Sequence, residues 1–209
     1  MGTTVSGSDL RTSPVTEHLA EHGARIYPSQ IAANIHRMAA DQRPDVVLVS
    51  SAVLKTNPEL SAAQAAGLPV VKSDHFLPAL LTDRRLIAVA GAHGKSTTTS
   101  MIISVLRDAG LDPGFILGAD LPGLGNETAG GSDLFVIEAD EYDRTFLGLR
   151  PNMAVITNVE HDHPDCYPTF DEYRIAFEAF VKPLPKDGVL VICVDDVEAR
   201  RLGDLAIAQ

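Results

Sequence analysis

Short apolar runs alternate along most of the chain with segments in which apolar residues recur at helical spacing. Apolar runs of this length, bounded by turn residues, are typical of strands. The predicted strands are 3–9, 45–53, 68–71, 86–90, 134–139, 153–159 and 188–194. Because strands and helical segments alternate, the pattern predicts an α/β fold with mainly parallel sheets.

Turn and capping residues indicate where the predicted helices begin and end. Ser13–Pro14 and Asn57–Pro58 each place a capping side chain before a proline, and Gly23 and Gly67 follow where each helix should end. Residues 169–172 have Thr and Glu at the spacing of a capping box. The apolar face of the helix that follows is predicted to contain Tyr173, Phe177 and Phe180.

The polar stretch 82–85 and the glycine-rich stretch 118–131 interrupt this pattern. We place a domain boundary in the first, which predicts two units, 1–83 and 84–209. Glycine clusters between periodic segments are typical of loops, and such loops often line ligand sites. The second stretch is therefore predicted to be a mobile loop near the ligand.

Composition limits the classes of function. The chain has 209 residues, of which 45% are hydrophobic and 22% charged, as in a globular protein. Its net charge of −11 disfavours a nucleic-acid partner, since phosphate backbones bind clustered Lys and Arg. The two cysteines, Cys166 and Cys193, form no disulfide framework, and we find neither a signal peptide nor a membrane-length apolar run. These features predict a cytoplasmic protein without a membrane partner.

The segment Gly91–Ser96 reads Gly-Ala-His-Gly-Lys-Ser between a predicted strand and a predicted helix. A general P-loop has a further glycine at the position of Val89. The context nevertheless predicts phosphate binding, because a helix N-terminus offers free N–H groups and partial positive charge. The alternative is a tight turn with an ordinary lysine. The predicted nucleotide-binding residues are Gly91, Ala92, His93, Gly94, Lys95, Ser96 and Thr97.

Two side chains of this loop are predicted to act directly. Lys95 supplies a positive charge and is expected to face solvent while no nucleotide is bound. The Ser96 hydroxyl can ligate a magnesium ion. The helix that follows is predicted to end at Gly110. Its core-facing residues are predicted from helical spacing to be Met101, Ile102, Val105, Leu106 and Ala109.

An acidic stretch follows the predicted strand 134–139. Glu138 emerges directly from the apolar run, and Asp140, Glu141 and Asp143 come after it. Ligands of α/β sheets bind outside the carboxyl ends of the strands, and an acid there beside a P-loop commonly holds magnesium. Glu138 is therefore predicted to be a magnesium ligand with Ser96. For Asp143, a solvated acidic loop is an equal alternative.

Histidines follow the next predicted strand, within 157–167. Zinc is one interpretation, since His and Cys are its preferred ligands, but the spacing matches no common zinc pattern. A role at the phosphate and metal site is favoured, and a turn hydrogen bond before Pro164 is a strong alternative for His161. The residues concerned are His161, Asp162, His163, Asp165 and Cys166.

Polar residues also end the strands of the first unit. Ser8 and Asp9 follow the first predicted strand, where an acid commonly contacts a ribose hydroxyl and where helix capping is the alternative. Ser50 and Ser51 end the next strand at the same edge, although serine is common in turns. These four residues are candidates for substrate binding.

Several stretches together resemble the Mur ligase family, and the resemblance covers nearly the whole chain. In that family a short P-loop explains the missing glycine. The stretches that carry the resemblance are VSGSD (5–9), VVLVSSAV (46–53), NPE (57–59), IAVAGAHGKSTTTSM (87–101), AGLDPGFILG (109–118), EADEYD (138–143) and TNVEHDHPDCY (157–167).

The resemblance implies three domains. Residues 1–83 would be a Rossmann-like UDP-substrate-binding domain that lacks its first strand, and 84–209 a truncated central ATP-binding domain. A C-terminal domain that completes the nucleotide and amino-acid sites would be absent. The chain is therefore expected to be a fragment that is inactive alone.

The resemblance also implies an activity. Members of the family use ATP and Mg²⁺ to convert a carboxylate into an acyl phosphate, which an amine then attacks. The stretches fit best the members that join L-alanine to UDP-N-acetylmuramate in peptidoglycan synthesis. By the family pattern, Lys95, Glu138 and His163 are catalytic, and Ser96, Glu138 and His163 are metal ligands, with a bridging water left open for His163.

Departures from the family pattern leave alternatives. The family usually has threonine at Ala92 and at Ser96, and a Gly-His pair near 26–35 is absent. A murein-tripeptide recycling ligase also carries EADEYD, whereas folylpolyglutamate synthase fits SGSD and SSAV poorly. A stand-alone P-loop ATPase or kinase and a non-catalytic sugar-nucleotide binding module remain alternatives of other classes.

Overall fold

The computed structural model describes residues 3–36, 43–50 and 53–207, apart from the side chains at positions 73 and 74. The chain divides into two compact units, Met1–Ser73 and Asp74–Gln209. Both contain alternating strands and helices, and the paired strands are mainly parallel. The predicted α/β fold is confirmed, whereas the domain limits 1–83 and 84–209 stay predictions from the sequence.

The first unit contains two small parallel sheets, one of β1 with β2 and one of β3 with β4. Strand β2 was not predicted, because its Arg-Ile-Tyr sequence shows neither an apolar run nor a clear alternation. The elements are β1 (Ser6–Ser8), α1 (Pro14–Glu21), β2 (Arg25–Tyr27), α2 (Ala33–His36), β3 (Val47–Val49), α3 (Pro58–Ala65) and β4 (Val70–Lys72).

The helix caps of this unit confirm the predicted start and stop signals. The Ser13 hydroxyl accepts a hydrogen bond from the backbone N–H of Thr16 at the start of α1. Asn57 Oδ1 accepts two backbone N–H groups of α3. Gly23 and Gly67, just past the two helices, have φ of +91° and +69°. Glycine adopts such values without the steric penalty that a Cβ brings.

The second unit is built around a six-stranded sheet of order β10–β9–β5–β8–β6–β7, in which only the β6–β7 pair is antiparallel. No helix in the described part of the chain is both long and apolar enough to cross a bilayer. The elements are α4 (Ser73–Leu80), β5 (Arg85–Ala90), α5 (Lys95–Asp108), β6 (Gly114–Leu121), β7 (Gly125–Thr128), β8 (Leu134–Glu138), a 3₁₀ helix (Tyr142–Gly148), β9 (Met153–Ile156), α6 (Phe170–Val181), β10 (Val189–Ile192) and α7 (Val197–Ile207).

Strand β5 is covered on both faces, as its unbroken apolar run predicts. Leu86, Ala88 and Ala90 belong to a large cluster on one face of the sheet, to which α6 contributes its aromatic residues. Ile87 packs against the smaller cluster on the other face. The predicted apolar face of α6 is confirmed, since its three aromatic side chains are at most 1% exposed: Tyr173, Phe177 and Phe180.

The predicted core face of α5 was partly wrong. Met101 and Val105 are 63% and 67% exposed, whereas Thr99 and Ile103 are fully buried. Ile103 packs against β6 and β8 through Phe115 and other residues of the smaller cluster. The stripe that contacts the sheet is therefore rotated around the helix from the predicted one. Helical spacing alone did not separate the two stripes, because both contain apolar residues.

The glycine-rich stretch 118–131 is largely a hairpin, so the predicted mobile loop was wrong for most of it. Strands β6 and β7 pair across a tight turn. Gly123 and Gly125 have φ of +77° and +74° in this turn, which explains the glycines. Gly130 has φ of +61°, and a Cβ there would lie 2.2 Å from the backbone nitrogen of Gly114. The glycines therefore permit a close backbone approach.

Candidate nucleotide and metal site

Three loops converge at one edge of the sheet. Strands β9, β5 and β8 are neighbours and run parallel, so their carboxyl ends meet. The loop after β5 contains residues 91–94, the loop after β9 contains residues 157–167, and the loop after β8 contains residues 139–141. In the sheet order, the connection after β5 leads to β6 on one side, whereas the connection after its neighbour β9 leads to β10 on the other side. Crevices at such points are the usual ligand sites of α/β sheets.

The loop after β5 has its shape because glycine occupies two positions. Gly91 has φ of +143° and Gly94 has φ of +79°. A Cβ on Gly91 would lie 2.0 Å from Thr157 Oγ1 and 3.0 Å from the backbone oxygen of Asn158. The loop after β9 therefore presses directly on the loop after β5, and only glycine fits between them.

Asn158 holds this loop from the side. Its Oδ1 accepts the backbone N–H of His93 at 2.9 Å, and its Nδ2 donates to the His93 carbonyl at 3.0 Å. Its own carbonyl accepts the N–H of Ala92 at 3.4 Å. The backbone N–H groups of residues 92 and 93 are thus already hydrogen-bonded to Asn158. Those of 95–97 open α5 and have no acceptor within the helix, so they are the groups offered to an anion.

Lys95 does not face solvent, contrary to expectation. Its side chain is 14% exposed, and Nζ donates to the Gly91 carbonyl at 2.7 Å and to Glu141 Oε1 at 3.0 Å. The first residue of α5 thus turns its ammonium back over the loop.

Ser96 and Glu138 meet as the sequence predicts. Ser96 Oγ donates a hydrogen bond to Glu138 Oε1 at 2.9 Å, and the Gly118 N–H donates to Oε2 at 2.8 Å. A Cβ on Gly118 would lie 3.1 Å from that same oxygen, so the missing side chain makes room for the carboxylate. Hydroxyl and carboxylate oxygens are ligands that Mg²⁺ prefers, and this donor set fits the ion. Metal binding by the pair stays a prediction.

Glu141 is a site residue that sequence reasoning did not single out. It is fully buried. Tyr167 donates to its backbone carbonyl at 2.6 Å, and Tyr173 donates to Oε1 at 3.3 Å. Its Oε1 also accepts a hydrogen bond from Lys95 Nζ, whereas Oε2 has no hydrogen-bond partner among the described residues. A buried carboxylate requires such partners, because burying an unpaired charge is strongly unfavourable.

His163 lies beside Glu141. Its Nε2 is 3.6 Å from Glu141 Oε1, and its ring meets the Tyr142 ring edge-on with centroids 5.1 Å apart. His163 has φ of +54°, which is uncommon for a residue with a side chain. Strained backbone of this kind occurs often at functional sites.

The predicted metal ligands are only partly brought together. Ser96 contacts Glu138, but His163 belongs to a group with Asp140 and Glu141, whose ligand atoms all lie within 4.8 Å of one another. Glu138 is not a member of that group. Within the part of the chain that the structure describes, the site therefore has two neighbouring sets of oxygen and nitrogen donors.

The zinc interpretation gains no support. His161 Nε2 bonds the Tyr167 carbonyl at 2.8 Å, which is the turn hydrogen bond given above as the alternative. Cys166 Sγ accepts the Asp143 N–H at 3.4 Å. Neither residue joins the group that contains His163.

Burial changes the ionisation of two tyrosines next to Glu141. Burial raises the pKa of Tyr173, and the nearby Glu141 carboxylate raises it further. Burial also raises the pKa of Tyr167, which the Arg144 guanidinium over its ring partly offsets. Both hydroxyls therefore stay protonated at neutral pH and act as donors to Glu141.

Two of the candidates in the first unit, Ser8 and Asp9, have side-chain partners within that unit. Ser8 Oγ donates to Glu59, and Asp9 Oδ1 accepts the Arg11 N–H at 3.0 Å. Ser50 is exposed just past β3. Ser51 lies outside the described residues. Ser8 and Ser50 end strands of two different sheets, and their role in substrate binding stays a prediction.

A cavity of about 190 Å³ lies at the opposite, amino-terminal edge of the sheet. Arg85, Leu134, Met153 and Val189 line it from the first residues of their strands. Its lining contains neither a glycine loop followed by a helix nor a group of metal-ligating side chains. The converging loops at the carboxyl edge are therefore the better candidate site.

Comparisons with known proteins cover both units. The family model described as "Mur ligase family, catalytic domain" matches residues 1–85, and "Mur ligase middle domain" matches residues 89–208. Together the two matches account for nearly the whole chain.

Two curated relatives of the chain share one name. UDP-N-acetylmuramate--L-alanine ligase of Arthrobacter sp. (strain FB24) is 48% identical over 97% of this chain and 42% of that protein. The Rubrobacter xylanophilus protein of that name is 46% identical over 98% of this chain and 45% of its own length. The chain spans less than half the length of these relatives.

Two solved ligase structures are also similar to the chain. UDP-N-acetylmuramate-alanine ligase from Thermotoga maritima has a TM-score of 0.83 at 31% identity, covering 96% of this chain and 45% of its own. UDP-N-acetylmuramate:L-alanyl-gamma-D-glutamyl-meso-diaminopimelate ligase from Neisseria meningitides has a TM-score of 0.86 at 29% identity, covering 96% of this chain and 67% of its own.

Proposed function

The chain belongs to the Mur ligase family, and on that premise we propose that the protein containing it is an ATP-dependent ligase that joins L-alanine to UDP-N-acetylmuramate. The observation that carries the proposal is the convergence of Lys95, Ser96 and Glu138 at the start of α5, beside unpaired helix N–H groups. Relatives named for this reaction are 42–48% identical to the chain. A cytoplasmic location is part of the proposal.

The proposed reaction has two steps. An oxygen of the lactoyl carboxylate attacks the γ-phosphorus of ATP, the bond to the β-phosphate oxygen breaks, and ADP leaves. The amine of L-alanine then attacks the acyl carbon of the resulting acyl phosphate. Inorganic phosphate leaves with the electrons of the C–O bond, and the nitrogen loses a proton. Phosphorylation is needed because a free carboxylate has no good leaving group.

Groups of this chain can stabilise the negative charge that develops during such a phosphoryl transfer. Lys95 and the N–H groups of 95–97 would contact the transferring oxygens, and fixed donors of this kind stabilise developing negative charge. Ser96 and Glu138 would hold a Mg²⁺ ion, which neutralises phosphate charge. We propose that His163 contacts a second ion through water, since Mg²⁺ prefers oxygen ligands.

The first unit would bind the UDP-sugar. Ser8, Asp9 and Ser50 are at strand ends, where such ligands commonly bind. The Ser8 hydroxyl already donates to Glu59, so substrate would have to share or replace that contact. Ser51 is proposed with them on its sequence position alone.

A second candidate function is the ligation of a murein tripeptide. The observation in its favour is the TM-score of 0.86 to the Neisseria meningitides ligase, against 0.83 for the alanine ligase. We rank it second, because the alanine ligases are more similar in sequence. A stand-alone ATPase would require neither substrate.

The test is phosphate release by the longest gene product that contains this chain, with Mg·ATP and UDP-N-acetylmuramate. L-Alanine, D-alanine and L-alanyl-γ-D-glutamyl-meso-diaminopimelate are the acceptors. We expect release that requires both UDP-N-acetylmuramate and L-alanine. Release that requires UDP-N-acetylmuramate and the tripeptide, and does not occur with L-alanine, would establish the second candidate. Release without any acceptor would indicate an ATPase.

A further inference from the structure

We propose that Glu141 is a positioning residue of the nucleotide site. Its buried carboxylate holds the Lys95 ammonium over the loop, so that a nucleotide phosphate meets a lysine already in place. The inference rests on the proposed function, since it assumes that nucleotide binds at residues 91–97. Glu141 would thus affect nucleotide binding by positioning Lys95.

Glu141 is itself held at two points. Tyr167 fixes its backbone carbonyl at 2.6 Å, and Tyr173 donates to its Oε1 at 3.3 Å. Both tyrosines are fully buried, and Tyr173 is on α6. The acceptor that Lys95 meets is therefore part of the packed core, unlike an exposed carboxylate on a mobile loop. Groups locked by packing hold a site geometry better than mobile ones.

The contacts of Lys95 leave one donor free. An ammonium carries three N–H groups. One donates to the Gly91 carbonyl at 2.7 Å and one to Glu141 Oε1 at 3.0 Å. Because two donors are fixed, the direction of the third is fixed as well. A phosphate can accept it without breaking either contact.

Holding the lysine in place favours binding. A free lysine side chain loses about 2 kcal/mol of rotamer entropy when it is immobilised. If folding has already immobilised Lys95, nucleotide binding avoids that loss. Pre-organisation of this kind raises affinity by reducing what binding must order.

Among the acids of its own stretch, Glu141 is the one that reaches Lys95 in the structure. Glu138 is engaged by Ser96 and by the Gly118 N–H. Asp140 is exposed, and its Oδ1 accepts a backbone N–H at 3.0 Å. The role of Glu141 is therefore distinct from metal ligation by Glu138, and a test can separate the two.

The test is a double-mutant cycle on ADP affinity, measured by titration with and without Mg²⁺ up to millimolar nucleotide. Glu141→Asp keeps the charge but withdraws the carboxylate by one methylene, whereas Glu141→Gln keeps the length and an acceptor oxygen. Each is made in the unaltered chain and in Lys95→Met. Glu127→Asp, at an exposed position of β7, is the matched control. Circular dichroism checks the fold of every variant.

We expect Glu141→Asp to weaken ADP binding roughly tenfold, since a lost charge-assisted hydrogen bond has about this effect. Glu141→Gln should weaken it less than threefold. Both effects should be the same without Mg²⁺ and should disappear in Lys95→Met. Glu127→Asp should bind as the unaltered chain does.

Other results overturn the inference. An effect of Glu141→Asp that persists in Lys95→Met would mean that Glu141 does not act through the lysine. An effect seen only with Mg²⁺ would place Glu141 at the metal. If the unaltered chain binds no nucleotide, this inference fails, whereas the proposed function is tested separately by phosphate release from the longer gene product. If Glu141→Asp does not fold, Tyr173→Phe replaces it, and about threefold weaker binding that disappears in Lys95→Met is expected.

Discussion

The hydroxyl of Ser96 donates a hydrogen bond to the carboxylate of Glu138 at 2.9 Å, which joins the first turn of α5 to the end of β8. The second oxygen of that carboxylate accepts the Gly118 N–H at 2.8 Å. The two oxygen donors are therefore oriented before any ion binds. This relationship gives the proposed metal site its geometry.

Glu138→Gln tests whether the pair binds metal. Gln keeps the size and an acceptor oxygen, but it removes the charge that attracts a cation. We expect the Mg²⁺ concentration for half-maximal phosphate release by the gene product to rise at least about tenfold, since a charged ligand contributes on the order of 1.5–3 kcal/mol. Glu127→Gln makes the same chemical change at an exposed position of β7. An unaltered Mg²⁺ requirement in Glu138→Gln would contradict the assignment.

Gly91→Ala tests the close approach of the two loops. The added Cβ would lie 2.0 Å from Thr157 Oγ1, at a φ of +143°. We expect the free energy of unfolding to fall by about 3 kcal/mol or more, since overpacking and a strained φ act together. Urea denaturation measures the change.

Gly123→Ala separates the two contributions. Gly123 has φ of +77°, but a Cβ there would meet nothing within 4 Å. Its substitution should therefore cost only the backbone strain of about 1–2 kcal/mol. Equal losses for the two variants would show that the contact with Thr157 is unimportant.

Stability should fall at high pH because of Tyr167 and Tyr173. Their pKa values in the folded protein lie above the ordinary 10.0. The unfolded chain therefore loses these protons first as the pH rises past about 10, and proton loss favours the unfolded state. The contribution of the two tyrosines to the free energy of unfolding is fully present below about pH 10 and is lost progressively as the pH rises above it. Urea denaturation between about pH 9 and pH 11 measures the slope, which Tyr167→Phe with Tyr173→Phe should flatten. A double variant with the same slope would contradict this prediction.

Local signals predicted much of the fold correctly. The run 86–90 is buried on both faces because a central parallel strand is covered by both layers. Ser13 and Asn57 cap their helices because capping depends on neighbouring residues alone. The meeting of Ser96 with Glu138 followed from strand order, since parallel strands end at one edge. These features depend on short-range chemistry or on topology.

Other features depend on packing that a pattern does not contain. Nothing in the run of acids distinguished Glu141, because its burial results from Tyr167 and Tyr173, which are distant in sequence. Asn158 likewise contacts His93 only after β5 and β9 pair. The glycine-rich stretch 118–131 was predicted to be a loop, because glycines interrupt its apolar residues and β7 contains no apolar residue.

The measurement that tests the central proposal most directly is ATP binding by Lys95→Met, which removes the charge and keeps the side-chain stem. Lys186→Ala, at an exposed position, is the control. Circular dichroism must show native folds, because Lys95→Met leaves the buried Glu141 without its ion-pair partner. We predict that Lys95→Met binds ATP at least about tenfold more weakly than the unaltered chain, since a hydrogen-bonded charge contributes more than 1.4 kcal/mol, and that Lys186→Ala binds as the unaltered chain does. Unchanged ATP affinity in a folded Lys95→Met variant would contradict phosphate binding by this loop.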